Sequence, residues 1–206
     1  PLPVAGIGSR EELLAAYVKA GGPVVDLPTL LWWEAYGTLR WGVICVQQAA
    51  AHLSGAVRSV ELAAIGRRVC EVELDLLDLV LGPGDIPDGP ATAAVEGPHD
   101  RPSAAELVEA VREWLAGVEL IGTDAFLTRV AQRALRTVER ELALGPALAQ
   151  RHEERLAVLG FASDMELAAA IRAGDDRPEV ATAVRDAVID KLRVADPTQL
   201  KGRPGP

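Results

Sequence analysis

Between Leu30 and Leu81 the apolar residues keep a rhythm that few folds accommodate. Trp32, Tyr36, Leu39, Val43, Val46, Ala50 and Leu53 are spaced alternately four and three apart, and Leu62, Ile65, Val69, Val72, Leu76 and Leu79 three and four. A repeat of about 3.5 residues is a helical seam, not the alternation of a strand. The connection Leu53-Ser54-Gly55-Ala56 is short and contains Gly, which makes the two helices antiparallel neighbours. The expectation is therefore a long antiparallel helical hairpin packed along these seams. Leu31, Trp33, Trp41, Ile44 and Cys45 give the first helix a second apolar face, so more than its hairpin partner must bury it. Gly37, Gly42 and Gly66 lie inside the hairpin helices. Each costs about 1 kcal/mol against Ala, and close approach of another backbone or a large ring is the usual compensation.

The flanking segments also read as helix. Ser9 with Glu12, Ser103 with Glu106 and Ser163 with Glu166 have capping-box spacing, in which the Ser oxygen takes an orphan N–H and the Glu reaches back. The first starts a helix that ends at Gly21-Gly22, after which Asp26 and Pro28 open the hairpin. Beyond Ser103 the pattern predicts helices to about Leu115, over Asp124–Leu144 until Gly145-Pro146, over Ala147–Leu159, to Ala173 and from Pro178 to Asp196. No segment alternates like a strand. The fold class expected is all-α, a long antiparallel helical hairpin plus a second small helical bundle. Residues 82–100 carry four Gly, four Pro and a net charge of −4, too little apolar surface to fold, and read as a linker. The expected organisation is thus 1–81, a linker over 82–100, a second helical unit over 101–200 that folds alone, and a disordered tail over 201–206.

Composition excludes some functions. The net charge of −9 in 206 residues disfavours non-specific binding to nucleic acid or anionic lipid. No run of 18 apolar residues exists, so no membrane-spanning helix is expected, and no signal peptide is visible. Cys45 and Cys70 lie mid-helix one position beside the seam, which predicts two buried free thiols in a reducing cytoplasm, although the fold of the hairpin brings them to a similar level. The first residue is Pro rather than Met, and the expectation is that the true N-terminus is absent or processed.

Leu30–Leu81, as quoted above, resembles the C-terminal helical part of aminoglycoside-phosphotransferase-like kinases, of the branch found with acyl-CoA dehydrogenases. DRPSAAELVEAVREWLAG, RVAQRALRTVERELALGPA, ELAAAIRAG and VIDKLRVADP resemble a small helical domain of unknown function encoded beside such phosphotransferases and sometimes fused after them. The resemblance implies a non-catalytic, acceptor-substrate side of a phosphotransferase-like protein followed by an accessory domain. The family's catalytic loop pairs an Asp base with a metal-holding Asn, and a strand Lys and a phosphate-covering loop complete the site. This chain has no Asn, and Lys19 and Lys191 fall in predicted helices. Catalytic residues would lie upstream of Pro1, so ATP and Mg²⁺ are expected only with an upstream lobe. A missing kinase-like catalytic lobe or a homo-oligomer mate is the expected partner, with an acyl-CoA dehydrogenase as a further candidate. A stand-alone adaptor that docks such a partner is the competing reading.

Few residues carry chemistry. His99-Asp100 mimics the start of a catalytic loop but is followed by Arg101-Pro102. Gly6-Ile7-Gly8-Ser9 reads as a phosphate cradle or, lacking a strand and a third Gly, as a turn and N-cap. No two of His52, His99 and His152 have metal-ligand spacing. Glu71, Asp75 and Asp78 share a helix face at i, i+4, i+7, either a solvated surface or, with Glu73, a wall for an acceptor substrate. Arg40 interrupts an apolar helix and has to pair with Glu34 or Glu71 or meet an anionic substrate. The acceptor-wall candidates are Arg40, Gln48, His52, Glu71 and Asp75.

Overall fold

A computed structural model describes residues 4, 6–91 and 102–201. Among these the chain is all-α. Eight α-helices follow one another: α1 Arg10–Lys19, α2 Leu27–Leu53, α3 Val60–Gly66, α4 Val69–Leu81, α5 Ala104–Ala116, α6 Gly122–Leu159, α7 Asp164–Arg172 and α8 Pro178–Ala195, with a 3-10 turn over Pro197–Leu200. The mimic at His99-Asp100, the linker from residue 92 onward, Arg101 and the tail beyond Lys201 lie outside the described residues.

The helix starts follow local side-chain chemistry. Ser9 and Ser103 both form complete capping boxes with Glu12 and Glu106, and the Asp26 carboxylate accepts from the Thr29 N–H at 2.8 Å. Ser163 caps α7 through the Glu166 N–H, but the Glu166 carboxylate accepts instead from the Ala162 N–H at 2.8 Å. Gly55, at φ +80°, turns the chain after α2, a conformation that costs a residue with a Cβ.

Two expected boundaries move. The second arm of the hairpin breaks into α3 and α4 at Arg67 and Arg68, whose N–H groups bond three residues back to Ala64 and Ile65. Conversely, Pro146 does not end a helix, since α6 runs through it for 38 residues. An internal Pro costs about 3 kcal/mol. Thr137, Leu148 and Leu156 bury one continuous face of α6 on both sides of that Pro, and this packing outweighs the local penalty.

The core crosses the expected linker. α8 is the central element, flanked by α4 on one side and α6 on the other. Cys70 and Leu74 from α4 join Val188, Ile189 and Leu192 from α8 in one cluster, with Leu77, Ile86 and Leu200 against it. A second cluster, Leu156, Leu167 and Val180, ties α6, α7 and α8 together. Polar contacts follow the same route. Arg67 bonds Glu141 at 2.7 Å and Lys191 bonds Glu73 at 3.1 Å. Arg185 donates to Asp78 and to the Gly82 carbonyl, and Arg193 to the Pro87 carbonyl. The start of the Gly/Pro segment is irregular, as expected, but it is packed down on α8, and residues 1–81 and 101–200 share a core.

Candidate functional site

Two features left by this packing are candidates: an uncovered face of α2 and a groove over α8. On α2 the contact with α3 and α4 runs through small residues. A Cβ on Gly42 would lie 3.1 Å from Val72 Cγ1, and one on Gly66 would lie 2.6 Å from Ala49 Cβ. Cys45 is fully buried on this line. At Gly42 and Gly66 the close neighbour is thus a small aliphatic side chain, Val72 and Ala49, rather than the backbone or large ring expected, and Gly37 has open space around it.

Packing on the small line turns the large residues outward. Trp32, Tyr36, Leu39, Val43, Val46 and Leu53, assigned above to the hairpin seam, are all exposed. The seam reading is thus rotated: the wide side chains keep the helical spacing but point away from α3 and α4. Trp33 and Trp41, expected to be covered, are exposed as well, Trp33 by 57% and Trp32 beside it by 59%. Trp32, Trp33 and Tyr36 pack on one another, with ring centroids 4.7–5.7 Å apart. Helix α1 reaches α2 through the Arg10–Glu34 ion pair at 2.6 Å and buries none of its own residues. An apolar stripe of this extent is unusual on the surface of a soluble protein.

The acceptor-wall residues fall on different surfaces. The Arg40 guanidinium lies over the Tyr36 ring at 5.9 Å, on the exposed side of α2. Glu34 pairs with Arg10, and Glu71, buried, pairs with Arg68 at 3.0 Å, so neither carboxylate is the Arg40 partner considered above. Arg68 also lies 5.9 Å over Trp41. Gln48 is half-buried. At the far end of α2, His52 accepts from the Ser59 N–H through Nδ1 at 3.1 Å, beside the start of α3. Asp75 is exposed on α4. His152 bonds Asp164 at 2.9 Å, a contact that sequence spacing gave no reason to expect. Both cysteines are free and buried. Burial, with Glu73 and Glu71 adding to it, pushes the Cys70 thiol up to about 11, and burial raises the Cys45 thiol too. Neither is a thiolate nucleophile near neutral pH. Among the described residues no group of three or more His, Cys, Asp or Glu could hold a metal ion, and no helix is long and apolar enough to cross a membrane.

The groove lies between α4 on one side and α6 with α7 on the other, with α8 as its floor, and holds about 1120 Å³. Leu76, Leu77, Leu148, Leu159, Ile171 and Val184 supply much of its lining. Its charged lining residues are already coupled across helices: Arg67 with Glu141, Lys191 with Glu73, His152 with Asp164 and Arg155 with Asp190.

Residues 118–199, which include α6, α7, α8 and the 3-10 turn up to Gln199, match a family described as a domain of unknown function (DUF6285). The groove floor and one of its walls lie within the matched residues, and the opposite wall, α4, lies outside them. No curated protein and no solved structure matches the chain, and none of the comparisons links it to a phosphotransferase-like protein.

Proposed function

We propose that the chain is a non-catalytic helical binding module, the acceptor-substrate side of a phosphotransferase-like assembly together with an accessory domain, which seats against a catalytic lobe through α2. The observation that carries this reading is the uncovered stripe Trp32, Trp33, Tyr36, Leu39, Val43 and Val46. Burying such side chains is worth roughly 1.5–3 kcal/mol each when complete, so a surface of this kind associates when a complementary one is present. The resemblance of residues 1–81 to the helices that follow the catalytic centre in aminoglycoside-phosphotransferase-like proteins supports such a lobe as the partner. Nucleotide and Mg²⁺ would then be held by the lobe, because phosphoryl transfer needs metal-holding and phosphate-covering groups that the resemblance puts upstream of this segment.

The test uses the catalytic lobe of a phosphotransferase-like protein whose own C-terminal helices resemble residues 1–81. Light scattering on a gel-filtration column is expected to give a 1:1 complex of lobe and chain, lost in Val46→Asp. A chain that stays monomeric and ignores the lobe overturns the reading. A stripe-dependent homodimer that excludes the lobe replaces docking with self-association.

A further inference from the structure

From its shape and its charge pairing, we infer that the groove over α8 is a binding site for a neutral, elongated, apolar small molecule, of the class of a long-chain alcohol or ester. The inference stands apart from the docking of α2, which uses the opposite side of the α2–α4 pair.

The dimensions select the kind of occupant. α4 and α6 both run antiparallel to α8: Glu73 meets Lys191 and Asp78 meets Arg185 on one side, while Thr137 meets Ala195 and Leu156 clusters with Val180 on the other. The groove therefore follows the length of α4, whose 13 residues span about 20 Å. Its volume of about 1120 Å³ lies just above the range of small-molecule sites, which are mostly apolar clefts of about 300–1,000 Å³.

The charges select the chemistry. Arg67, Glu73, Glu141, His152, Arg155, Asp164, Asp190 and Lys191 all border the groove, and each has an opposite partner within 3.1 Å. An ionic head group finds no unpaired counter-charge here and meets a like charge beside every opposite one. A neutral molecule leaves every pair intact. The end toward Val80, Leu81 and Ile171 is apolar and exposed, which provides an entrance for an alkyl chain, and the Arg67–Glu141 bridge borders the groove near the start of α4.

The experiment uses the neutral fluorescent dye N-phenyl-1-naphthylamine on the full chain. A saturable rise in emission with one site per chain is expected, with 1-dodecanol displacing the dye at least tenfold more effectively than dodecanoate. Ala187→Trp, on the floor, and Ala168→Trp, on the α7 wall, both fill the groove and are expected to weaken dye binding at least tenfold. Circular dichroism identifies a variant that fails to fold, and the other then decides. Val46→Asp, on α2, is expected to leave the dye affinity unchanged. The inference is overturned by dye binding that Val46→Asp removes, by undiminished binding in a folded groove-filled variant, by equal or better displacement by dodecanoate, or by no saturable signal.

Discussion

Adding one methyl group at two glycines of the same helix layer is expected to have opposite effects. Gly66→Ala places a Cβ 2.6 Å from the Ala49 Cβ and 3.6 Å from the Ala49 Cα. Carbon atoms in contact sit at about 3.5–4.0 Å, so α2 and α3 must separate by roughly an ångström, and the obstacle is the root of a side chain that has no rotamer to change. Overpacking of this kind costs about 1–3 kcal/mol, against a gain of at most about 1 kcal/mol from replacing Gly in a helix. The expected net is a loss of up to about 2 kcal/mol. Gly37→Ala meets nothing within 4 Å and lies on an exposed part of α2, so it retains the full helical gain of about 0.5–1 kcal/mol. Urea unfolding followed by circular dichroism reads both changes as midpoint shifts at unchanged slope. The double variant Gly66→Ala with Ala49→Gly removes the clash and is expected to recover most of the loss. Equal stabilisation by Gly66→Ala and Gly37→Ala would refute the small-residue contact between α2 and α3.

Two further outcomes follow from the core. The Cys70 thiol is raised from 9.0 to about 11, so the folded state favours its protonated form. The associated stability is complete below about pH 9 and is lost as pH rises through 11, a difference of about 2–3 kcal/mol; urea midpoints at pH 8 and pH 10.5 should therefore fall further in the wild type than in Cys70→Ala, and parallel falls would contradict it. A fragment from Asp100 onward keeps the Leu156, Leu167 and Val180 cluster but uncovers the α8 face of Ile189 and Leu192 that Leu74 covers. It is expected to melt cooperatively at a lower temperature than the full chain and to bind an apolar dye, and a melting temperature equal to that of the full chain would show that α4 adds nothing to the core.

What the sequence made legible was local. Ser9, Asp26, Ser103 and Gly55 set their helix ends through contacts within a few residues, and those ends stand where the pattern predicts them. The break after Gly66 and the continuity through Pro146 depend on what packs against α3 and α6, which no local pattern contains. The stripe on α2 was visible as a period, but its direction was not. Gly42, Cys45 and Ala49 have the same three–four spacing as Val43, Val46 and Ala50 one position later, and only closeness of approach decides which line faces in. The acceptor-wall residues were chosen by chemical type. Glu71 satisfies Arg68 and His52 satisfies the backbone of Ser59, so the roles visible for these two are structural. The groove left no motif because aliphatic side chains far apart in the chain build it. Its one signal was α8, where Ile189 and Val194 beside Val180, Val188 and Leu192 make the helix apolar on more than one side.

The central claim, that α2 is a docking face, is tested most directly by isothermal calorimetry of the chain against the catalytic lobe at several temperatures. Trp32, Trp33, Tyr36, Leu39, Val43 and Val46 are each about half exposed and together offer on the order of 600 Å² of apolar surface. With a matching area on the lobe this reaches roughly 1,200 Å², the lower bound of a stable specific interface. At about 0.45 cal/K/mol per Å² of apolar area, binding should carry a heat-capacity change near −0.5 kcal/mol/K, 1:1, and absent in Val46→Asp. Binding heats with no temperature dependence, heats unaffected by Val46→Asp, or no heat at tens of micromolar protein would contradict the claim.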